Sequence, residues 1–412
     1  MAEGTDQKVD VLVAGGGMAG LTMGLALARG GLSVAVIERQ APPAFRDPTF
    51  DGRTSAIAYG SANVFDGVGV WSRLETRAQP IQDIRVADGN LMDRPSSLFL
   101  HYDHRDLGDS PLGYILENRD IRDALLSEAA AVENLHLMAP AAVANAERDT
   151  GGATVTLADG KTIAARLIIG ADGRNSPLRD DAGIRVTRLD YPQTAIVCTV
   201  AHARPHAGVA VELFLPSGPF AMLPMTEQRS SVVWTEKSNL AKDILALDDE
   251  SFLYELQRRF GDWLGEIDVE GPRFAYPLGL LHAERYTDRR LALIGDAAHV
   301  IHPIAGQGLN MGIRDVAALA EAVVDANRLG LDIGDGPVLA RYERWRRFDN
   351  VFMAATTDGL NRLFSNDIGP LRLARDLGLA AINRLPPAKR FFMRHAMGMV
   401  GDLPRLVKGE PI

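Results

Sequence analysis

Three glycines and one glutamate near the N-terminus have the spacing of a nucleotide-binding turn. In "VDVLVAGGGMAGLTMGLALARGGLSVAVIER", Gly15, Gly17 and Gly20 form G-x-G-x-x-G directly after an apolar run. Gly15 permits a tight turn, Gly17 lets a pyrophosphate approach the backbone, and Gly20 lets a helix pack closely on a strand. Glu38 lies eighteen residues beyond Gly20, after a second apolar run, where a carboxylate can bind a ribose hydroxyl. The pattern predicts a dinucleotide site without separating NAD from FAD.

Two aspartates follow two other short apolar runs. "RLIIGADGRNSPLR" places Asp172 and Gly173 after one run, and "LALIGDAAHVIHPIAGQGLNMGIRD" places Gly295 and Asp296 after the other. A carboxylate at the end of a buried strand can bind the polyhydroxyl ribityl chain of a flavin, which NAD lacks. Either aspartate alone could instead form a turn or cap a helix. Together with the glycine turn, the two aspartates favour FAD.

The loop after the second aspartate carries chemistry of its own. Pro303 and the Gly306 to Gly308 segment precede a helical pattern. Backbone N–H groups and a helix N-terminus there would favour the pyrimidine edge of a flavin, where negative charge collects on reduction. Asn310 either closes this loop or caps the helix.

These three motifs resemble those of the group A flavoprotein monooxygenases of the para-hydroxybenzoate hydroxylase type, in the same order from Val9 to Asp315. The phrases "FDGRTSAIAYGSANVFDGVGVW", "YILENRDIRDAL" and "ELFLPSGPFAMLPM" look like those of the ubiquinone-biosynthesis hydroxylases, which oxidise polyprenylated phenols.

The resemblance implies the role of each motif residue. The glycine turn and Glu38 would hold the ADP part of FAD, and Asp172 and Asp296 would be the aspartates of the D-G and G-D motifs. Arg53 and Arg119 would approach phosphate and ribityl oxygens, although either could be an ordinary surface arginine and Arg122 competes for the role of Arg119.

The reaction implied is hydroxylation of an electron-rich aromatic carbon by O2 through a flavin hydroperoxide. Pro303, Gly306, Gln307 and Gly308 match the segment that lines the reactive side of the flavin. A base could deprotonate the phenol, and His302, His206 and His299 are the candidates. We expect His299 to be structural and take His302 as the better candidate.

The reductant and the partners follow from the same resemblance. No second glycine-rich turn is present, so NAD(P)H would bind transiently, or electrons would come from a partner protein. The implied substrate is a membrane-dissolved prenylphenol, and other quinone-biosynthesis proteins are further candidate partners. Two alternatives stay open: a flavin monooxygenase acting on a soluble aromatic compound, and a non-catalytic FAD-binding scaffold subunit.

The positioning elements form an α/β FAD-binding domain, Rossmann-like and of the glutathione-reductase type, with an inserted antiparallel β-sheet domain and C-terminal helices. We expect residues 1–75, 101–178 and 290–365 in the FAD-binding domain, residues 76–100 and 179–289 in the substrate-binding sheet domain, and residues 366–412 in a basic helical segment.

Composition excludes several classes of function. A net charge of −9 argues against nucleic-acid binding, and one cysteine, Cys198, excludes an internal disulfide and a cysteine-rich metal site. The polar start "MAEGTDQK" is unlike a secretory leader, so a cytoplasmic location is expected. From Asn366 onward, eight Lys or Arg face four acids. Such a basic end could lie on the inner face of an anionic membrane, or pack as a helical hairpin on the FAD domain or another subunit.

Overall fold

The computed structural model describes residues 7–41, 52–89, 99–366 and 369–412. Its strands are β1 Gln7–Ala14, β2 Val34–Ile37, β3 Thr54–Ala58, β4 Gln79–Ile81, β5 Asp83–Asp88, β6 Leu100–Asp103, β7 Gly113–Glu117, β8 Leu135–Met138, β9 Val143–Arg148, β10 Ala153–Leu157, β11 Thr162–Gly170, β12 Val186–His202, β13 Val209–Leu215, β14 Gly218–Met225, β15 Arg229–Lys237, β16 Ile267–Ala283, β17 Thr287–Asp288, β18 Leu291–Leu293 and β19 His299–Val300. Its α-helices are α1 Met18–Arg29, α2 Tyr59–Gly67, α3 Asn118–Ala129, α4 Pro177–Asp181, α5 Ser238–Leu245, α6 Asp249–Phe260, α7 Gln307–Arg328, α8 Gly336–Phe364, α9 Gly369–Arg384, α10 Pro386–Ala396 and α11 Arg405–Lys408.

The first sheet is built around parallel strands that are buried on both faces. Its order is β17-β18-β11-β1-β2-β8, and β10 and β9 extend it from β11. Strand β2 and residues 11–14 of β1 are continuous apolar, buried runs, as expected for parallel strands covered on both sides. Helix α1 packs against α7 beside this sheet, and the largest hydrophobic core of the described residues lies here. The predicted Rossmann-like FAD-binding architecture is confirmed.

The second sheet has the order β19-β16-β12-β15-β14-β13-β5-β6. It is mostly antiparallel, as predicted, but β5 and β13 pair in parallel because β5 comes from the earlier excursion of the chain. Helices α5 and α6 cover one face around Trp234 and Phe252. Strand β19 joins this sheet although it falls in the segment 290–365 assigned to the FAD-binding domain. The domain boundaries otherwise stay predictions, and residues 90–98 lie outside the described residues.

The C-terminal helices cover the other face of the second sheet. Phe214 of β13 stacks on Phe364 of α8, with ring centroids 4.1 Å apart, and Leu379 of α9 belongs to the same cluster. Met393 of α10 packs in a second cluster with Ala210. The predicted C-terminal helices therefore form, and they pack on the sheet domain. Within the described ranges, no helix combines the length and apolarity needed to cross a membrane.

Candidate active site

The register of the first sheet brings the three predicted motifs to one edge. Ala14 at the end of β1 pairs with Gly170 at the end of β11, and Gly170 pairs with Leu293 at the end of β18. Because these strands are parallel, the residues that follow them all emerge at the same end of the sheet. Ligands of open α/β sheets bind at this end, in the crevice beyond the carboxyl ends of the strands.

The glycines of the first turn are required for different reasons. Gly15 has φ +106, and a Cβ there would overlap the carbonyl of Ala171. A Cβ on Gly20 would overlap the carbonyl of Gly15. A Cβ on Gly17 would meet nothing within 4 Å, although Gly17 lines the cavity described below. The protein fold therefore requires Gly15 and Gly20, whereas Gly17 leaves room for a group that is not part of the chain.

Glu38 is held at the glycine turn by backbone amides. Its Oε2 accepts a hydrogen bond from the N–H of Gly16 at 2.8 Å, and its Oε1 accepts one from the N–H of Gln40 at 2.8 Å. The side chain is half-buried and does not itself line the cavity. Its interaction with a ribose stays a prediction.

The two predicted aspartates occupy different positions. Asp296 lies deep in the protein, yet its side chain is open to the cavity, and the surrounding protein raises the pKa of its carboxyl. Asp172 does not line the cavity, and its Oδ2 accepts a hydrogen bond from the N–H of Leu178 at 3.3 Å in the first turn of α4. Burial raises the pKa of Asp172, and its Oδ1 is buried with no hydrogen-bond partner among the described residues. One oxygen of Asp172 thus bonds the N-terminus of α4, which agrees with the alternative that Asp172 caps a helix.

A buried polar network holds the backbone behind Asp296. Asp315 accepts hydrogen bonds from Gly295 N–H at 3.1 Å and Arg346 Nε at 3.0 Å. His299 Nε2 lies 2.5 Å from Asp315 Oδ2, and Asn350 Nδ2 donates to Oδ1 at 3.0 Å. The charges and donors around Asp315 hold the pKa of its carboxyl well below its usual range. His299 is therefore structural, as expected.

The loop before α7 is shaped by one glycine and one asparagine. Gly306 is left-handed, with φ +61, and a Cβ there would lie 2.9 Å from the Cβ of Ala56 in β3. Asn310 donates to the carbonyl of Ala56 at 2.7 Å and accepts from the N–H of Ala58 at 2.8 Å. Since α7 begins at Gln307, Asn310 is not its N-cap. It closes the loop by joining α7 to β3, which was one of the two alternatives.

A cavity of about 520 Å³ opens at this edge and extends to the second sheet. Its volume is in the range of about 300–1,000 Å³ that is usual for small-molecule sites. Predicted residues that line it are Gly17, Gly20, Arg53, Gly173, Gly295, Asp296, Pro303, Gly306, Gln307, Gly308 and Asn310. Those that do not are Gly15, Glu38, Arg119, Asp172 and His302.

The half of the cavity under the second sheet is almost entirely apolar. Its apolar lining residues are Ile81, Ile84, Leu112, Ala210, Val211, Pro219, Ala221, Leu223 and Val233. The register places Glu212 in one row with Ala221 and Val233, so its side chain shares their cavity-facing side. Of the described strand residues of the second sheet that line the cavity, Glu212 alone is charged. Thr235 also lines it, and its buried Oγ1 has no hydrogen-bond partner among the described residues.

The histidine prediction fails for His302. Its ring is 0% exposed, packs edge-on against Tyr191 with centroids 5.2 Å apart, and lies behind the cavity wall while its neighbours Ile301 and Pro303 line the cavity. Burial lowers the pKa of His302 to about 4. A ring that does not reach the cavity cannot accept a proton from a bound phenol, so we do not assign it as the base.

His206 is also structural. Its ring bonds the carbonyl of Met225 at 2.7 Å, and its Nδ1 accepts from the N–H of Gly208 at 3.0 Å.

The arginine prediction changes as well. Arg53 lines the cavity, but Arg119 instead pairs with Glu117 at 2.6 Å, and Arg122, the competing residue, is the one that lines the cavity.

Sequence reasoning missed the contribution of the C-terminal segment. Ala396 at the end of α10 lines the cavity, and Gln307 Nε2 donates to its carbonyl at 3.4 Å. The helical pattern was visible in the sequence, but nothing local indicated which side of α10 faces the cavity.

The residues at the sheet edge fit FAD. Like Gly17, Gly308 lines the cavity and has no protein atom near the position of a Cβ. The N-terminus of α1 offers unsatisfied N–H groups for phosphates. Asp296 lines the cavity, and its carboxylate is an acceptor that suits hydroxyl groups.

Comparison with known proteins agrees with this geometry. A family model described as an FAD binding domain matches residues 8–333. The chain is 52% identical to ubiquinone hydroxylase UbiL of Rhodospirillum rubrum, over 99% of this chain and 94% of that protein. It is 34% identical to 3-demethoxyubiquinol 3-hydroxylase of Escherichia coli, over 96% of this chain and 100% of that protein. The crystal structure of p-nitrophenol 4-monooxygenase PnpA from Pseudomonas putida has the same fold, with a TM-score of 0.78 at 19% identity over 95% of this chain and 98% of that one. The chain therefore belongs to the family of FAD-dependent monooxygenases that includes the ubiquinone hydroxylases.

Proposed function

We propose that this protein hydroxylates the aromatic ring of a polyprenylated phenol in ubiquinone biosynthesis, with FAD as cofactor. The observation that carries the proposal is the cavity, which runs from the cofactor-binding edge of the first sheet to an apolar wall on the second. An apolar wall suits a substrate with a hydrocarbon tail. The names of the relatives at 52% and 34% identity support the same substrate class.

The chain's own residues divide the work of cofactor binding. Gly17 and the N-terminus of α1 would hold the pyrophosphate, Glu38 the adenosine ribose, and Asp296 the ribityl hydroxyls. Arg53 and Arg122 would approach its phosphate and ribityl oxygens. When bound, FAD supplies the activation of O2, with transfer of one oxygen atom to the ring and reduction of the other to water.

Other residues would position the substrate and keep water out. Pro303 and the Gly306 to Gly308 segment form the floor on which the ring would lie. Glu212 would accept a hydrogen bond from the phenol hydroxyl and so favour the electron-rich form of the ring. The apolar residues around it would exclude water, which protects against wasteful release of hydrogen peroxide.

The same lining disfavours a soluble aromatic acid as substrate. The strand residues of the second sheet that line the cavity, as far as the structure describes them, include no Lys, Arg or His. A substrate carboxylate would instead meet Glu212 and be repelled. A non-catalytic scaffold role is disfavoured because all three predicted motifs are present at the cofactor-binding edge of the first sheet.

We infer that NAD(P)H is the reductant and that it binds transiently, since only one glycine-rich nucleotide turn is present in the sequence. The substrate would be drawn from a membrane, and other quinone-biosynthesis proteins are candidate partners. These assignments rest on the family and on the apolar cavity.

The proposed function is tested by genetics and by turnover. Deleting the gene in its native host should abolish ubiquinone and accumulate a prenylphenol that lacks one hydroxyl, identified by mass spectrometry. The purified FAD-loaded protein, given NADPH or NADH and a short-chain prenylphenol, should add one oxygen atom to the ring. Normal ubiquinone in a strain without a redundant hydroxylase would overturn the proposal, and bound FAD that never turns over would favour the scaffold alternative.

A further inference from the structure

An exposed aromatic surface joins α8 and α10 on the outside of the molecule. We define it by Phe348 and Phe352 of α8 and by Phe391 and Phe392 of α10, which are 76%, 49%, 49% and 41% exposed. Phe348 and Phe352 lie one turn apart on one side of α8. His395 bridges the two helices, with its ring 6.3 Å from that of Phe352 and 4.3 Å from that of Phe391. Contiguous exposed aromatic side chains of this kind mark a contact surface.

Unpaired arginines surround the aromatic surface. Arg344 and Arg347 precede Phe348 on α8, and Arg390 and Arg394 flank the two phenylalanines of α10. All four are exposed, and none forms an ion pair with any residue in the described ranges. This local positive charge stands out in a chain of net charge −9.

The inner side of α10 faces the active-site cavity. Met393 and Met397 are buried against Ile81 and Ala210, which line the cavity, and Ala396 lines it directly. The aromatic surface and the cavity therefore lie on opposite sides of one helix, separated by about 10 Å, the diameter of a helix with its side chains.

We propose that the aromatic surface docks on an anionic lipid bilayer, with the phenylalanines inserted at the headgroup boundary and the arginines on lipid phosphates. Apolar and basic side chains on one surface are the pattern of helices that lie in a membrane interface. Charge complementarity favours this occupant over a second copy of the chain, because a symmetric dimer through this surface would place arginines against arginines. The inference deepens the proposed function, because it names the surface from which a lipid-dissolved substrate would reach the cavity.

The test is flotation of the FAD-loaded protein with vesicles, without turnover. Vesicles of equal parts phosphatidylglycerol and phosphatidylcholine should bind the protein, and pure phosphatidylcholine vesicles should bind it much less. The Phe391→Ser/Phe392→Ser variant and the Arg390→Glu/Arg394→Glu variant should each reduce binding by about tenfold or more. Both should keep bound FAD, because the substituted side chains point away from the cavity.

Matched controls come from the opposite face of the second sheet. Tyr254→Ser/Leu240→Ser removes two exposed apolar side chains of α6 and α5, and Lys237→Glu/Lys242→Glu reverses two exposed charges at α5. Both controls should bind vesicles like the unmodified protein.

Three results would overturn the docking proposal: no binding to anionic vesicles, equal losses in the variants and in their controls, or a dimer in solution that the phenylalanine variant dissociates. Turnover of a short-chain phenol without vesicles reports the proposed function separately. Failure of docking is thus distinguishable from failure of the reaction.

Discussion

Arg375 and Asp88 form a buried ion pair that joins α9 to β5, with Nη2 of Arg375 2.7 Å from Oδ2 of Asp88 and each side chain 2% exposed. Arg375 also donates to the carbonyl of Leu363 at 2.8 Å, and its guanidinium lies 5.2 Å from the ring of Phe364. The pair thus fastens the C-terminal helices to the sheet that forms the roof of the cavity.

Replacing Arg375 by Met should lower the free energy of unfolding by about 3–5 kcal/mol, because it leaves the carboxylate of Asp88 buried without its cation. The control is Arg185→Met, which breaks the exposed pair with Glu284 and should cost about 0–1 kcal/mol. Urea unfolding of the FAD-loaded proteins measures both. Equal decreases in the free energy of unfolding for the two variants would show that the buried pair does not fix α9 to β5.

Replacing Gly17 by Ala should leave the apoprotein folded and weaken FAD binding by at least about tenfold, which corresponds to about 1.4 kcal/mol. A Cβ at this position meets no protein atom, so only the cofactor phosphates would feel it. Gly359→Ala in α8, where space is equally open, should leave FAD binding unchanged. Flavin fluorescence titration gives the affinities, and an unchanged affinity in Gly17→Ala would place the pyrophosphate elsewhere.

Replacing His302 by Phe should lower kcat by less than about tenfold, whereas loss of a true base costs about a hundredfold or more. Both ring nitrogens of His302 are buried without partners in the described part of the chain, so an apolar ring of similar shape fits the site. Steady-state hydroxylation measures kcat, and a hundredfold loss with full FAD content would restore His302 as a catalytic residue.

The same variant should change the acid stability of the protein. The pKa of a histidine is about 6.5 in the unfolded chain, and that of His302 in the fold is about 4. As the pH falls, the unfolded state therefore binds the proton first. Above about pH 6.5, the neutral ring of His302 makes its full contribution to the free energy of unfolding. This contribution is lost as the pH falls towards 4, by on the order of 3 kcal/mol. As the pH is lowered across this window, the melting temperature of His302→Phe should fall less steeply than that of the unmodified protein. Equal slopes for the two proteins would contradict the prediction.

Replacing Glu212 by Gln should uncouple the reaction, so that more hydrogen peroxide and less hydroxylated product form for each NAD(P)H consumed. Among the described strand residues of the second sheet that line the cavity, Glu212 carries the one charged acceptor for a phenol, and an amide is a weaker acceptor for the phenol proton. Thr235→Val removes another polar atom of the lining and should keep coupling, because Thr235 Oγ1 has no partner within the described residues. Peroxide and product are measured together; unchanged coupling in Glu212→Gln would remove Glu212 from substrate positioning.

The cofactor edge could be predicted from the sequence because its signals are local. The apolar strands that end at Ala14, Gly170 and Leu293 are parallel and buried, and parallel strands of one sheet necessarily end at the same side. Gly20 is required by the carbonyl of Gly15, five residues away, which a short motif can encode, whereas Gly15 is required by its positive φ and by the carbonyl of Ala171 directly after β11.

The side-chain assignments that failed depend on contacts between distant segments. His302 is turned from the cavity by packing against Tyr191 of β12, and nothing near residue 302 encodes that contact. Arg119 and Arg122 are three residues apart on α3, and only the position of the helix decides which one lines the cavity. The inward side of α10 likewise depends on distant contacts, because Met393 and Met397 pack with Ile81 and Ala210.

The network around Asp315 sets the smallest fragment that can bind the cofactor. Gly295, which positions Asp296, is held by a carboxylate whose charge is balanced by Arg346 and whose second oxygen is bonded by Asn350. Both of these partners lie beyond residue 333, where the match to the FAD-binding family ends. A chain cut at that boundary would lack Arg346 and Asn350, two of the four groups that contact the carboxylate of Asp315. The cofactor-binding unit of this protein therefore includes α8 at least as far as Asn350, and it cannot be separated from the helix that carries the aromatic surface.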